Sequence, residues 1–474
     1  MIDADEPTIC LKVLSQVEKL PPDDPDAVAI RRATAGIFKE VKRARRIARR
    51  DAISAADQAV VAATATGSPQ RVDDETEGIP LVSNAAGALA GTYIRPRPCY
   101  ICKQDYTEVD AFYHQLCPSC AAINRGHRDA RTDLAGRRAL LTGGRAKIGM
   151  YIALRLLRDG AYTTITTRFP NDAVRRFRAM PDSAEWLHRL RIVGIDLRDP
   201  AQVVALADSV AAAGPLDILI NNAAQTVRRS PNAYGPLAAA EREPLPAGPL
   251  PELLTFDHIS DAHPQAIAGS LAEHPLPHTI TGDQLSRLAL VAGSATAGRS
   301  GIAIDAGGLV PDVNTVNSWT QRVDEIDPLE LLEVQLCNAT APFILISRLR
   351  AAMASSPARR KYIVNVSAME GVFGRGYKGP GHPHTNMAKA ALNMLTRTSA
   401  AEMLSDGILM SAVDTGWITD ERPHVTKLRL AEEGFHAPLD LVDGAARVYD
   451  PIVQGENGVD LYGCFLKDYA KSGW

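Results

Sequence analysis

DLAGRRALLTGGRAKIG, residues 133–149, places a short apolar run, a glycine-rich turn and the start of an amphipathic helix in immediate succession. Arg137–Leu141 reads as a strand, Thr142–Gly144 as the turn after it, and residues 148–160 as the helix. Glycines in such a turn let the backbone approach a phosphate closely, and the helix N-terminus offers it unpaired N–H groups and positive potential. Outward from this point, residues 162–168 (YTTITTR), 190–197 (LRIVGIDL) and 216–222 (LDILINN) repeat the apolar β-type pattern, with helical periods between them. Strands alternating with helices imply a parallel α/β sheet. The alternation stops after Asn222 and resumes near Glu330 with helix, strand, helix and strand as far as Trp417. About 100 residues rich in Pro, Ala and Gly intervene, an insertion at about 225–327 long enough to be functional or partly disordered. It follows the fourth strand beside the ligand-binding edge of such sheets, and so reads as a lid or a partner surface.

At 474 residues the chain has room for two or three domains, and 46% hydrophobic with 23% charged residues describes a globular protein. A formal net charge of −3 gives no overall drive toward nucleic acid or anionic membrane. No stretch approaches the roughly 18–20 uninterrupted apolar residues that cross a bilayer, and the acidic start MIDADEP lacks the basic region of a signal peptide, so the cytoplasm is expected. Residues 1–65 read as helical. Within them Ile30, Ile37, Val41, Ala44 and Ala48 form an apolar stripe beside a face rich in Arg and Lys, the pattern of a packing helix with a solvated side. The same basic face would suit an acidic protein partner. Residues 66–95, rich in Gly, Pro, Ser and Thr, read as a linker.

Cys99-x-x-Cys102 and Cys117-x-x-Cys120 stand 14 residues apart in a compact module over residues 96–130. Each two-residue loop lets two thiolates converge on one tetrahedral ion, and a segment this small has too little core to fold without such a staple. The pattern predicts a structural zinc whose closed four-thiolate shell leaves no position for substrate.

The turn Thr142-Gly143-Gly144-Arg145-Ala146-Lys147-Ile148-Gly149 resembles the T-G-x-x-x-G-I-G loop of short-chain dehydrogenases/reductases, with Lys147 where that family has its middle glycine. A side chain there either crowds the phosphates or adds a contact to them. Arg168 lies 19 residues past Gly149, where an acidic residue takes the ribose hydroxyls in an NAD enzyme; a guanidinium suits a 2′-phosphate and favours NADP(H). Further resemblances follow in order. Asp196-Leu197 resembles the pair whose Asp meets adenine, Asn221-Asn222-Ala223-Ala224 resembles the N-N-A-G that ends the fourth strand, and Asn338 resembles the helix asparagine of V-N-x-x-A-P-F. The resemblance covers about 133–225 and 328–420. It implies an α/β fold over 131–474, a Rossmann-type doubly wound parallel sheet preceded by the helical segment and the small zinc-binding module.

In that family a Ser polarises the carbonyl, a Tyr exchanges the proton, and a Lys four residues on lowers the Tyr pKa and holds the nicotinamide ribose. Here Ala368 stands at the serine position, and Ser367, one residue early on a strand, serves only if a bulge re-aims it. Thr385-x-x-x-Lys389 resembles the Y-x-x-x-K motif with the lysine kept and the tyrosine lost. A threonine hydroxyl does not ionise near neutrality, so another proton donor is needed, and His382, His384 and Tyr377 are the candidates. Trp417 and Thr419, in the DTGWIT segment that replaces the family's P-G turn, stand as expected neighbours of the carboxamide.

Two functions follow from these readings. One is an NADP(H)-dependent oxidoreductase acting on a small-molecule carbonyl or alcohol; the other is a catalytically silent NADP(H) sensor or scaffold that recruits a partner through the zinc module or the basic helix. A homo-oligomer is expected by symmetry, and neither nucleic acid nor membrane is an expected partner.

Overall fold

A computed structural model describes residues 3, 5–69, 71, 81–229, 231–256, 259–264, 266, 308, 309 and 315–474. Two helices open the chain, α1 (Glu6–Val17) and α2 (Pro25–Ala63). Asp24 caps α2 by accepting from the N–H groups of Asp26 and Ala27, and Pro25 takes the first helical position. The stripe expected to pack is exposed at Ile37 and Val41, and the buried residues of α2 are Ala27 near its start and Asp57 and Val61 near its end. Strands β1 (Leu89–Pro98) and β2 (Asp105–Asp110) form an antiparallel hairpin before α3 (Pro118–Asp129). The segment 66–95, read as a linker, therefore ends in a strand, and Thr66, Ser68 and Arg71 within it are buried.

The larger sheet is laid down by β3 (Arg138–Leu141), α4 (Lys147–Arg158), β4 (Tyr162–Thr167), α5 (Pro170–Arg178), α6 (Ser183–Trp186), β5 (Leu190–Gly194), α7 (Pro200–Ala212), β6 (Ile218–Asn221), α8 (Gly235–Arg242) and β7 (Glu252–Thr255). It is completed by α9 (Pro328–Gln335), a π-helical turn at Leu336–Thr340, α10 (Ala341–Ala354), β8 (Lys361–Ser367), α11 (Pro383–Met403), β9 (Ile408–Asp414), α12 (His424–Glu432), α13 (Leu441–Glu456), β10 (Phe465–Lys467) and β11 (Ala470–Ser472). Among the described residues the strand order is β11-β10-β9-β8-β6-β3-β4-β5-β7, parallel throughout except for β11.

Both faces of the sheet are covered, which is why β8 and β9 read as near-continuous apolar runs. Ile152 and Leu156 of α4 and Val448 and Ile452 of α13 pack on one face, and Leu206 of α7 with Leu345 and Leu349 of α10 on the other. The order reverses at β3, which pairs with β4 on one side and β6 on the other, and ligands of such sheets bind in the crevice outside that point. The described part of the insertion folds into α8 and β7, and β7 extends the sheet by pairing with β5. Residues 267–307 and 310–314, on which a large part of the lid reading falls, lie outside the described residues.

Among the described residues one helical stretch, Pro328–Ala354, is long and apolar enough on average to cross a membrane, although Glu330, Glu333, Arg348 and Arg350 interrupt its apolar run. It is a core helix here, because Leu345, Ile346, Leu349 and Met353 are buried against the sheet domain.

Candidate functional site

The glycine turn after β3 adopts a shape that side chains would forbid. Gly143 has φ +71°, and a Cβ on Gly149 would come within 1.9 Å of the Gly143 carbonyl oxygen. Asn222 locks the turn by donating from Nδ2 to the carbonyls of Thr142 (3.0 Å) and Gly143 (3.1 Å). The Thr142 hydroxyl accepts from the N–H groups of Asn222 and Ala223, both at 3.0 Å. Lys147 keeps the left-handed backbone of the glycine it replaces, with φ +52°. It opens α4, whose N-cap Ala146 makes no side-chain hydrogen bond, and a helix N-terminus of this kind presents positive potential to an anion.

A cleft of about 1040 Å³ runs from this turn along the C-terminal ends of the strands, room for a dinucleotide and a small substrate. At one end Arg145 pairs with Asp172 (2.5 Å) and lies over Phe169, while Arg168 donates to the Tyr234 hydroxyl (3.2 Å) and lies over both rings. Tyr234 comes from the insertion, and no motif in the sequence signals it. Leu197 lines the cleft, as does Asp196, whose carboxylate is bound by Arg198 (2.6 Å) and His263 (3.3 Å). Burial opposes ionisation there, yet Arg198 and His263 hold the Asp196 carboxyl well below the usual carboxylate range. Asp196 is thus engaged within the protein as well as facing the nucleotide space.

At the other end Lys389 is buried, faces the cleft and donates from Nζ to the Val366 carbonyl (2.8 Å); burial brings its pKa down to about 8. Thr385 lines the same wall, buried and with its hydroxyl unpaired among the described residues. Asn338 occupies the π-helical turn and exchanges two hydrogen bonds with the backbone of Gln225, at 2.7 and 2.9 Å. It therefore ties the end of β6 to the helix. Irregular turns of this kind recur at functional positions.

Ser367 and the three proton-donor candidates occupy different environments. Ser367 lines the cleft, but its hydroxyl is already engaged, donating to Asn393 Oδ1 at 2.6 Å. No bulge interrupts the β8–β9 register, so the one-residue offset keeps its orientation. His384 is buried outside the cleft lining, 3.9 Å from Glu330, and burial lowers its pKa. His382 reaches the cleft but is stacked on Trp319 (3.9 Å) with Nδ1 at 2.8 Å from the Trp319 carbonyl. Tyr377 sits at the rim, 76% exposed.

The cysteine module closes this end. The sulfurs of Cys99, Cys102, Cys117 and Cys120 lie within 4.8 Å of one another with no disulfide, and Cys102 and Cys117 are 3.8 Å apart. Four thiolates at about 2.3 Å from a zinc ion would stand about 3.8 Å from each other. The donor set fits the metal. From the first loop of the module Tyr100 reaches the cleft and its hydroxyl accepts from the Trp417 N–H at 2.9 Å. Burial and the nearby Asp414 push the Tyr100 phenol up. Trp417 and Thr419 both line the cleft, Thr419 beside Glu421 at 3.4 Å. Sequence reasoning missed Tyr100, since nothing local links it to a residue 317 positions away.

A family model described as short chain dehydrogenase matches residues 137–239. An uncharacterized protein of Acanthamoeba polyphaga mimivirus is 30% identical over 368 residues, 75% of this chain and 71% of that protein. A probable oxidoreductase of Streptomyces antibioticus is 40% identical over 91 residues, which is 19% of this chain and 30% of that one. Among solved structures, a short chain dehydrogenase from Burkholderia cenocepacia in complex with NADP shares 19% identity and a TM-score of 0.43, over 71% of this chain and 97% of that one.

Proposed function

This chain belongs to the short-chain dehydrogenase/reductase superfamily, and from that premise we propose that it is an NADP(H)-dependent oxidoreductase acting on a small carbonyl or alcohol. The observation that carries the reading is the complete nucleotide cradle, Thr142 to Gly149 locked by Asn222, opening into the same cleft as Lys389. The bound nucleotide would supply or accept the hydride. Arg145 and Arg168 together give the far end of the cleft the positive charge that a 2′-phosphate needs. Lys389 holds positive charge at the reacting end, where it would orient the ribose and stabilise an alkoxide.

Fluorescence titration with NADPH and NADH tests the cofactor preference. NADPH is expected to bind at least tenfold more tightly, and Arg168→Glu to erase that difference. Equal affinities in the unaltered protein would refute the preference, and no binding of either nucleotide would refute the reading.

A second reading, a catalytically silent NADP(H) sensor or scaffold, draws support from Ala368 and Thr385 at the two altered positions. Tight NADPH binding without hydride transfer to any member of a carbonyl panel would favour it. We further propose a structural zinc on the four cysteines, a reducing compartment such as the cytoplasm to keep them thiolate, a homo-oligomer, and the exposed basic face of α2 or the cysteine module as the surface for any protein partner. Metal analysis of the purified chain tests the first, with one zinc per chain expected.

A further inference from the structure

We propose that the Asp414 carboxyl is the catalytic proton donor and acceptor of this site; the inference rests on the oxidoreductase reading. Asp414 ends β9 at the C-terminal edge of the sheet, in register with Ser367 of the neighbouring strand. It thus stands at the strand end next to the end of β8, where Ala368 follows Ser367 in the chain. It lines the cleft with Thr385 and Lys389 and is only 5% exposed.

Its carboxylate accepts no hydrogen bond among the described residues, which sets it apart from other buried acids of this chain. Asp159 is held by Arg131, the Thr132 N–H and Tyr449, Asp440 by Arg128 and the Asp443 N–H, and Asp199 by Ser260 and the Ala201 N–H. A buried carboxyl without donors is expensive to keep as an anion, so a structural role does not explain it.

The charged and titratable groups around it come from several neighbouring elements. They are Lys467 and Asp468 at the end of the β10–β11 hairpin, Glu370 after β8, Arg447 on α13 and the phenol of Tyr100. Burial, with help from Asp468 and Glu370, outweighs the pull of Lys467 and Arg447 and raises the Asp414 carboxyl to about 6. An acid of that strength is protonated often enough to donate near neutrality, and its carboxylate is basic enough to take a proton back.

In the reducing direction Asp414 as the acid gives its proton to the substrate carbonyl oxygen as hydride from the reduced nicotinamide reaches the carbonyl carbon. The Asp414 O–H bond breaks, the carbonyl π pair forms the new O–H bond, and Asp414 is left as a carboxylate that regains a proton from solvent. In the oxidising direction the carboxylate accepts the hydroxyl proton as hydride leaves the carbinol carbon for the oxidised nicotinamide.

The test uses the full-length protein and a substrate found by the carbonyl panel. In the unaltered chain, reduction should slow as pH rises through about 6 and oxidation should quicken. Asp414→Asn should lower kcat by about 100-fold or more and remove that pH limb, with NADPH affinity held within about threefold. Asp414→Ala should be partly restored by added formate. Independently of turnover, carboxyl-carbon NMR of the nucleotide-free protein should show one aspartate titrating near 6 that is absent from Asp414→Asn. A variant Asp414→Asn that keeps kcat within threefold and the same pH limb, or an Asp414 resonance titrating near 4, overturns the assignment alone. Failure of the unaltered chain to transfer hydride at all, despite binding NADPH, overturns the oxidoreductase reading and the assignment with it.

Discussion

Lys147 holds a left-handed backbone, φ +52°, at the mouth of the nucleotide cradle, a conformation that costs an L residue on the order of 1–2 kcal/mol. Glycine there would relieve the strain, and a lysine lining the cleft at this point is placed to meet a nucleotide phosphate. Lys147→Gly is therefore expected to raise the unfolding free energy of the nucleotide-free protein by about 1 kcal/mol and to weaken NADPH binding about tenfold, as read by denaturant titration and fluorescence. Asp414 presents a second balance of stability against function. Its folded pKa is raised above that of an unfolded aspartate, so its ionisation destabilises the fold progressively as pH climbs from about 4 to 6, and fully above that. Asp414→Asn should accordingly stabilise the protein at pH 8, by up to about 3 kcal/mol, and have little effect at pH 4. An equal effect at both pH values would show that Asp414 is not held in its acid form.

The cysteine module is the element whose role extends furthest beyond its own fold. Its hairpin and α3 share a core with Ile418, Leu439 and Leu441 of the sheet domain, and Tyr100 holds the Trp417 N–H. Cys120→Ser, or chelation of the proposed zinc, should lower stability by at least about 3 kcal/mol and weaken NADPH binding in parallel, seen as a shared loss in thermal melts and nucleotide titration. Tyr100→Phe should keep the proposed zinc and the melt within about 1 kcal/mol while still weakening NADPH, which separates anchoring of the turn from folding of the module. The four cysteines were legible from spacing alone because both halves of the site are local. The Tyr100 contact was not, since it joins two segments whose meeting only the packed core arranges. The same distinction explains α2: its helical period was plain in the sequence, but the stripe read as packing proved exposed at Ile37 and Val41.

Across the whole molecule, a buried polar network fastens the N-terminal third to the sheet domain. Arg128 pairs with Asp440 and Asp443, Tyr113 and Asn124 bond Asp443, and Arg447 reaches back to Asn124. Arg128→Ala would leave two buried carboxylates without their guanidinium, a loss of about 3–5 kcal/mol visible in the melt. The full chain should unfold in one calorimetric transition, and two resolved transitions would show that the module and the sheet domain are energetically independent. Within this architecture the sequence by itself determined the alternation of strands and helices, the phosphate turn at 142–149, the retained Lys389 and the four thiols, because periodicity and short spacing act through neighbouring residues. Tertiary structure alone decided that Ser367 faces Asn393, that His384 lies outside the cleft, and that Tyr234, Tyr100 and Asp414 converge on it. Those outcomes depend on strand register and on which distant surfaces are buried together, and no local pattern along the chain encodes either.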